Sequence, residues 1–410
     1  MVHRVNLIKL LSSERSGSAI VLVMIAMVLM LAIGGGLLSL GLQSRLTSVR
    51  MTSGIQARCA VDAALAKAAF EMNEKLKTAP WDDTLLPWAT NESLPNSEAI
   101  YSYTVTGDID NGYFVDAVGM SGNSIRRITA RLRLKGPFDS AIFADEGIIM
   151  NSSALVNWYN YEVGERSLQI GTNSTDAGAI QLANGVTVNG DVIVGFGGDP
   201  DVVIDATWAT IIGDTYSMTE FYELPSVAVP EELLMLPSEG TITNDTPITT
   251  ITDSAKYDSI NLGNNKTITI DGPVSLYIIG DITLKNSAEI QVVDATTNPD
   301  AYLILYLGGE VEVKNSGTIN NLSADASSFQ LYGLDTCESI SLKNASDLYG
   351  TIYAPNANVE MDNSANLYGA VVADSFVQHN SATFNYDASL RDVNITDWGV
   401  YFTIEDWSEE

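Results

Sequence analysis

The sequence predicts a membrane-spanning long α-helix, a small antiparallel sheet that joins it in an α+β head, and an all-β parallel β-helix (a solenoid) beyond. Three observations carry that prediction. No residue from Ser16 to Ser44 is charged. Short runs of alternating apolar residues lie around Asp110-Asn111-Gly112. Asparagine-centred units recur through the distal two-thirds. Composition narrows the function. With 51 acidic against 21 basic residues, the chain has a formal charge of −30. Nucleic-acid binders cluster Lys and Arg to neutralise phosphates, so no nucleic-acid partner is expected. The apolar content of 46% supports a packed core. Two cysteines do not make a disulfide framework, and two histidines give little material for a His-rich site.

The uncharged run is bracketed by Arg15 and Arg45. As a helix rising ~1.5 Å per residue it spans about 43 Å, more than the ~30 Å hydrocarbon core. His3, Arg4, Lys9 and Arg15 precede it. This basic leader is expected to stay cytoplasmic and place the C-terminal bulk outside. The apolar stretch is too long for an ordinary secretory signal. On hydropathy alone a plain signal anchor is the favoured reading.

Glu14-Arg15-Ser16-Gly17 followed by Ser18-Ala19-Ile20-Val21-Leu22-Val23 resembles the leader of type IV pilin-like proteins, most closely minor pilins with a PilX-type N-terminus. The resemblance implies a leader peptide over 1–17, cut between Gly17 and Ser18 by a prepilin peptidase. It also implies other pilin-like subunits as partners and membrane attachment through the helix. One departure is Leu22, at the fifth mature position, where most major pilins carry Glu. That points to a minor position rather than the bulk of a fibre.

The helix is expected over 18–79. Ile55, Cys59, Ala63, Ala66 and Phe70 form one apolar face, and Pro80 stops it. Gly34-Gly35-Gly36 weakens helix propensity, either for close packing through small residues or, by analogy with pilins, for local melting during assembly. Trp81 to Glu98 reads as a loop. The small sheet is expected over 99–136, with Tyr101, Tyr103 and Val105 on one strand, Phe114 and Val118 on the next, and Ile125 to Leu134 on a third. Asp108, Asp110 and Asp116 lack EF-hand spacing and read as turn chemistry.

In the distal part, Ile282 to Ile290, Val311 to Ile319, Ile340 to Leu348, Val359 to Leu367 and Phe376 to Phe384 share one pattern. Apolar residues stand four and two positions before an Asn, and another four after it. The asparagines are Asn286, Asn315, Asn344, Asn363 and Asn380, with weaker copies at Asn184 and Asn151. Alternating arms are strands and Asn-Ser/Ala is a turn. No helix fits such short rungs, so the parallel β-helix is expected over 138–390. Asn tolerates the left-handed backbone such corners need. Leu348 to Ala357, Leu367 to Ala373 and Asn385 to Leu390 also resemble the β-helical domain attached to PilX-type pilus assembly proteins. The tail over 391–410 is expected to cap the open end of the solenoid.

Other chemistry reads weakly. Lys285, Lys314 and Lys343 look like a solvated row. Asp335 with Asp347, and Asp362 with Asp374, are not distinctive in so acidic a chain. His379 reads as a turn residue. Cys59 and Cys337 are expected as buried free thiols. No catalytic residue, cofactor or metal site is assigned, and no enzyme activity is expected. The resemblances imply a minor pilin-like structural or interaction protein of a type IV pilus or related envelope filament. It would reside in the inner membrane before assembly and at the cell surface afterwards. Its β-helix would offer a face for adhesion or scaffolding to a glycan or surface-protein ligand. The alternatives are a polysaccharide-acting β-helix enzyme and a membrane-anchored, bactofilin-like scaffold.

Overall fold

The structure is a computed structural model describing residues 16–409, except 79, 110, 161–166, 343–346, 363, 364 and 396, with backbone alone at 16–18. It divides into two compact units. One comprises the chain up to Arg133 together with Phe402 onward; the other comprises Leu134–Tyr401.

The first unit begins with α1 (Ser16–Leu76). Every large apolar side chain from Ile20 to Leu46 is more than half exposed. From Ala57 the helix changes character. Ala57, Ala60, Val61, Ala64, Leu65, Ala68 and Met72 recur at three- and four-residue spacing and are buried. This is not the face that periodicity alone selects. Ile55 and Phe70 are 65% and 62% exposed, and Cys59 is exposed too. Both faces are apolar, and the alanine face wins because small side chains admit the sheet closely. A Cβ built on Gly119 would lie 2.2 Å from the Ala57 carbonyl oxygen.

The sheet against α1 has β1 (Trp88–Ser93), β2 (Ile100–Asp108), β3 (Gly112–Ser121), β4 (Ser124–Lys135) and the C-terminal strand Tyr401–Glu409, in that order. β2 and β3 meet in a tight antiparallel hairpin with Asp108 opposite Gly112. Tyr113, Val115 and Ala117 point inward while Phe114 faces out, the reverse of the expected phase. Register explains it: Tyr103 opposes Ala117, and Val115 opposes Ala130 on β4, so all four share the helix-facing side. β1 occupies a segment read as loop. It is a bulged edge strand in which Asn91 takes φ +52°, which suits its polar composition. Polar pins join helix and sheet. Lys67 Nζ lies 2.5 Å from Glu92, and the Tyr103 hydroxyl donates to Glu71 at 2.5 Å. The Lys67 contact holds the Glu92 carboxyl below its usual range, and burial raises the Tyr103 phenol.

The tail departs from its expected role as a cap, because Tyr401–Glu409 forms a strand beside β4. Two interactions draw it there. Phe402 is buried, its ring 5.2 Å from Tyr113 and 5.9 Å from Trp81. The Asn73 amide acts like a strand partner, donating to the Phe402 carbonyl at 3.0 Å and accepting from its N–H at 2.6 Å. Arg133 with Glu405, and Arg58 with Glu409, add ion pairs.

The second unit is β-rich with parallel sheets. Among the described residues one sheet has 21 strands and another four. One apolar column runs in register from Ile242 through Ile260, Ile282, Val311, Ile340, Val359, Phe376, Ile148 and Ile180 to Ile204. The order is not that of the chain. Strand Ile142–Met150 pairs with Asn366–Gln378 on one side and with Gln169–Thr172 and Ile180–Leu182 on the other. A segment from Met218 to Pro237, with little regular structure, makes the return. Its contacts map the route: Tyr222 N–H donates to Asn173, the Pro225 carbonyl accepts from the Tyr353 hydroxyl, and the Leu234 carbonyl accepts from Lys256. Cys337 is buried in this unit, and desolvation pushes its thiol up to about 12.

Candidate functional site

Two surfaces carry functional potential, one in each unit. The first is on α1. Beyond the exposed apolar half, Ile55, Cys59, Ala66 and Phe70 are spaced four, seven and four residues apart and stay in solvent on one helix face. Burying a large aliphatic side chain is worth about 1.5–3 kcal/mol, so a continuous run of such residues needs lipid or neighbouring helices around it. Gly17 and Ser18 lie in the first helical turns.

The second surface is the set of side-chain ladders on the parallel unit. Asn286 and Asn315 take φ of +54° and +52°, and Ser287 and Ser316 follow at +59° and +62°. Asn's short polar side chain tolerates this region better than most. Asn344 and Asn363 lie outside the described residues. At Asn380 the left-handed residue is the next one, Ser381. Sequence reasoning missed Asn264 and Asn265, both at positive φ. Ile260 and Leu262 before Asn264 carry the same signal. The Asn286 amide donates to Asn264 at 3.4 Å, and Asn189 donates to Asn157 at 2.9 Å.

Lys285 and Lys314 stand opposite each other on adjacent strands, and Lys314 pairs with Glu312 at 2.6 Å. Lys343 lies outside the described residues. Asp335 and Asp347 accept from Asn356 and Asn366 respectively, so each belongs to a local ladder contact. An acidic cleft of about 380 Å³ is lined by Asp145, Glu146, Asn173, Ser174, Asp176 and Phe221. Burial, with Glu146 and Asp145 nearby, raises the Asp374 carboxyl above its ordinary range. Asp362 is found instead near His379.

A long exposed apolar helix joined to a largely parallel β fold is the class that these observations define. Residues 237–393 match the family model of a domain of unknown function, DUF7305. No curated protein matches the chain. Among solved structures, the competence-associated pilin ComZ from Thermus thermophilus is similar at 13% identity and TM-score 0.22, over 88% of this chain and 98% of that one. An ice-binding protein from Antarctomyces psychrotrophicus is 15% identical at TM-score 0.22, over 60% and 93%. The ice-binding protein 1 domain from Shewanella frigidimarina is 15% identical at TM-score 0.28, over 60% and 94%. Such values leave the residues themselves as the basis for a functional reading.

Proposed function

We propose that the chain is a minor pilin-like subunit of a type IV pilus or related envelope filament, with no catalytic role. The observation that carries this reading is the two-faced helix. One face of α1 is lined by alanines and buried on the sheet, while a second apolar face and the large apolar side chains from Ile20 to Leu46 remain exposed. In a bilayer the N-terminal half is satisfied by lipid; in a filament both exposed surfaces would pack against other subunits. A plain anchor accounts for the N-terminal half but gives no reason for Ile55 and Phe70 to face solvent. The leader would be removed between Gly17 and Ser18 by a prepilin peptidase, which the Glu14 to Val23 motif supports. The distal unit is read as a PilX-associated β-helical solenoid. Like-over-like register through Ile282, Val311 and Ile340 supports that reading. Its extended face would bind a glycan or surface protein, placing the distal unit outside the inner membrane and then at the cell surface.

The test is N-terminal sequencing of the protein from membranes of cells that also produce a prepilin peptidase. Ser18 at the N-terminus is expected. An intact Met1 would reduce the helix to a plain anchor.

A further inference from the structure

We propose that Glu360, Asp362 and His379 form a site for one borderline divalent transition-metal ion of the zinc type, a role independent of filament assembly. Glu360 and Asp362 are two residues apart around the buried Met361, so both project from the outer side of the strand. Register supplies the third ligand. Met361 opposes Gln378, and Gln378 opposes Met150. The residues that follow, Asp362, His379 and Asn151, therefore stand in one column, with His379 N–H bonded to the Met361 carbonyl and Asn151 N–H to that of Gln378, each at 2.8 Å.

His379 Nε2 lies 2.6 Å from Glu360 Oε1 and 3.6 Å from Asp362 Oδ1, and one ligand atom from each residue falls within a 4.8 Å group. Ligand atoms about 2.0–2.1 Å from a tetrahedral zinc ion are separated by about 3.3 Å, between those two distances. Side chains 25–28% exposed leave the outer side open for water as a fourth ligand. One imidazole with two carboxylates suits zinc-type ions, whereas calcium and magnesium take oxygen ligands.

Asn151 is the positioning residue. Its amide lies 3.3 Å from His379 Nδ1. The amide nitrogen faces the ring here, and a half-turn of the amide exchanges it for the carbonyl oxygen. Turned so that its carbonyl oxygen accepts the Nδ1 proton, it fixes the tautomer whose Nε2 lone pair faces the metal. The competing explanation is a metal-free contact between His379 and Glu360.

Detergent-solubilised full-length protein titrated with Zn²⁺ against a fluorescent chelator is expected to bind one equivalent. A hundredfold excess of Ca²⁺ should not displace it. His379→Ala, Glu360→Gln and Asp362→Asn should each weaken binding by about tenfold or more, and Asn151→Ala by about tenfold. A readout free of variants is carbethoxylation of His379 by diethyl pyrocarbonate, followed by peptide mass. The chain's other histidine is His3, so the signal is specific. Zn²⁺ should protect His379. Absent saturable binding, affinity unchanged by His379→Ala, or an unprotected His379 would each overturn the site. Unchanged affinity in Asn151→Ala would overturn the positioning role.

Discussion

In the antiparallel unit the cross-strand pairs are mixed: Tyr103 opposes Ala117 and Tyr113 opposes Leu132, while Val105 opposes Val115. In the parallel unit, like stands over like: Ile282 over Val311 over Ile340, and Tyr277 over Tyr306 over Tyr332 over Tyr353. Both units alternate inward and outward side chains, yet they set register by different means. In the first, tight turns fix the pairing and the helix decides which face is buried. In the second, long excursions separate the strands, so repeated side-chain identity holds the alignment. The antiparallel unit should therefore fail at single keystone contacts, and the parallel unit should lose stability in smaller, local steps.

The largest effect is expected at Phe402, which inserts into the Trp81–Tyr113 cluster from the far end of the chain. Phe402→Ala should destabilise the antiparallel unit by about 3 kcal/mol. Hydrogen exchange of β3 and β4 amides in detergent-solubilised protein reads this directly. Unchanged protection there would show that the C-terminal strand is a passive edge. Next comes Gly119→Ala, whose new methyl would meet the Ala57 carbonyl and the Val61 nitrogen, 2.2 and 2.5 Å from its Cβ. Overpacking of this kind costs about 1–3 kcal/mol, and neither obstacle is a flexible side chain. Faster exchange confined to α1 and β3 is expected; a neutral result would mean the helix can lift without loss.

A smaller effect tests the corners of the parallel unit. Asn286 holds φ +54°. Alanine there should cost about 1 kcal/mol through the left-handed penalty, whereas glycine should be close to neutral. Equal losses for Asn286→Ala and Asn286→Gly would instead assign the stabilisation to the side-chain contact with Asn264.

The same contrast explains what the sequence made legible. The columns through Ile282, Val311 and Ile340 are visible because repetition itself sets their register. The buried face of α1 was not, since Ile55-Cys59-Phe70 and Ala57-Ala64-Ala68 are both apolar stripes, and only the approach of Gly119 chooses between them. The phase of β3 failed for the same reason: Phe114 and Val115 are equally apolar, and β2 and β4 arbitrate. Parallel pairing leaves no mark of which strand is the neighbour. The meeting of Ile142–Met150 with Asn366–Gln378 was therefore hidden, and with it the placing of Asn151 beside His379. The Glu360-Met361-Asp362 spacing was in view, but its partner lay one strand away.

The smallest expected effect concerns charge in the parallel unit. Asp374 is half-buried, and desolvation followed by Glu146 and Asp145 raises its carboxyl above the ordinary 3.8. The folded state thus holds this proton more tightly than the unfolded chain does, so stability falls as pH climbs from the ordinary 3.8 through the raised folded value, and levels off beyond it. At neutral pH an ionised Asp374 opposes folding, and the neutral amide of Asp374→Asn removes that opposition. Slower exchange along Asn366–Gln378 is therefore expected in the variant at pH 7. The difference should close as the pH is lowered below 3.8, where the wild-type carboxyl is protonated in both states. A gain that persists in acid would come from packing rather than charge. The acidic cleft would then be a solvated surface whose carboxylates do not oppose folding.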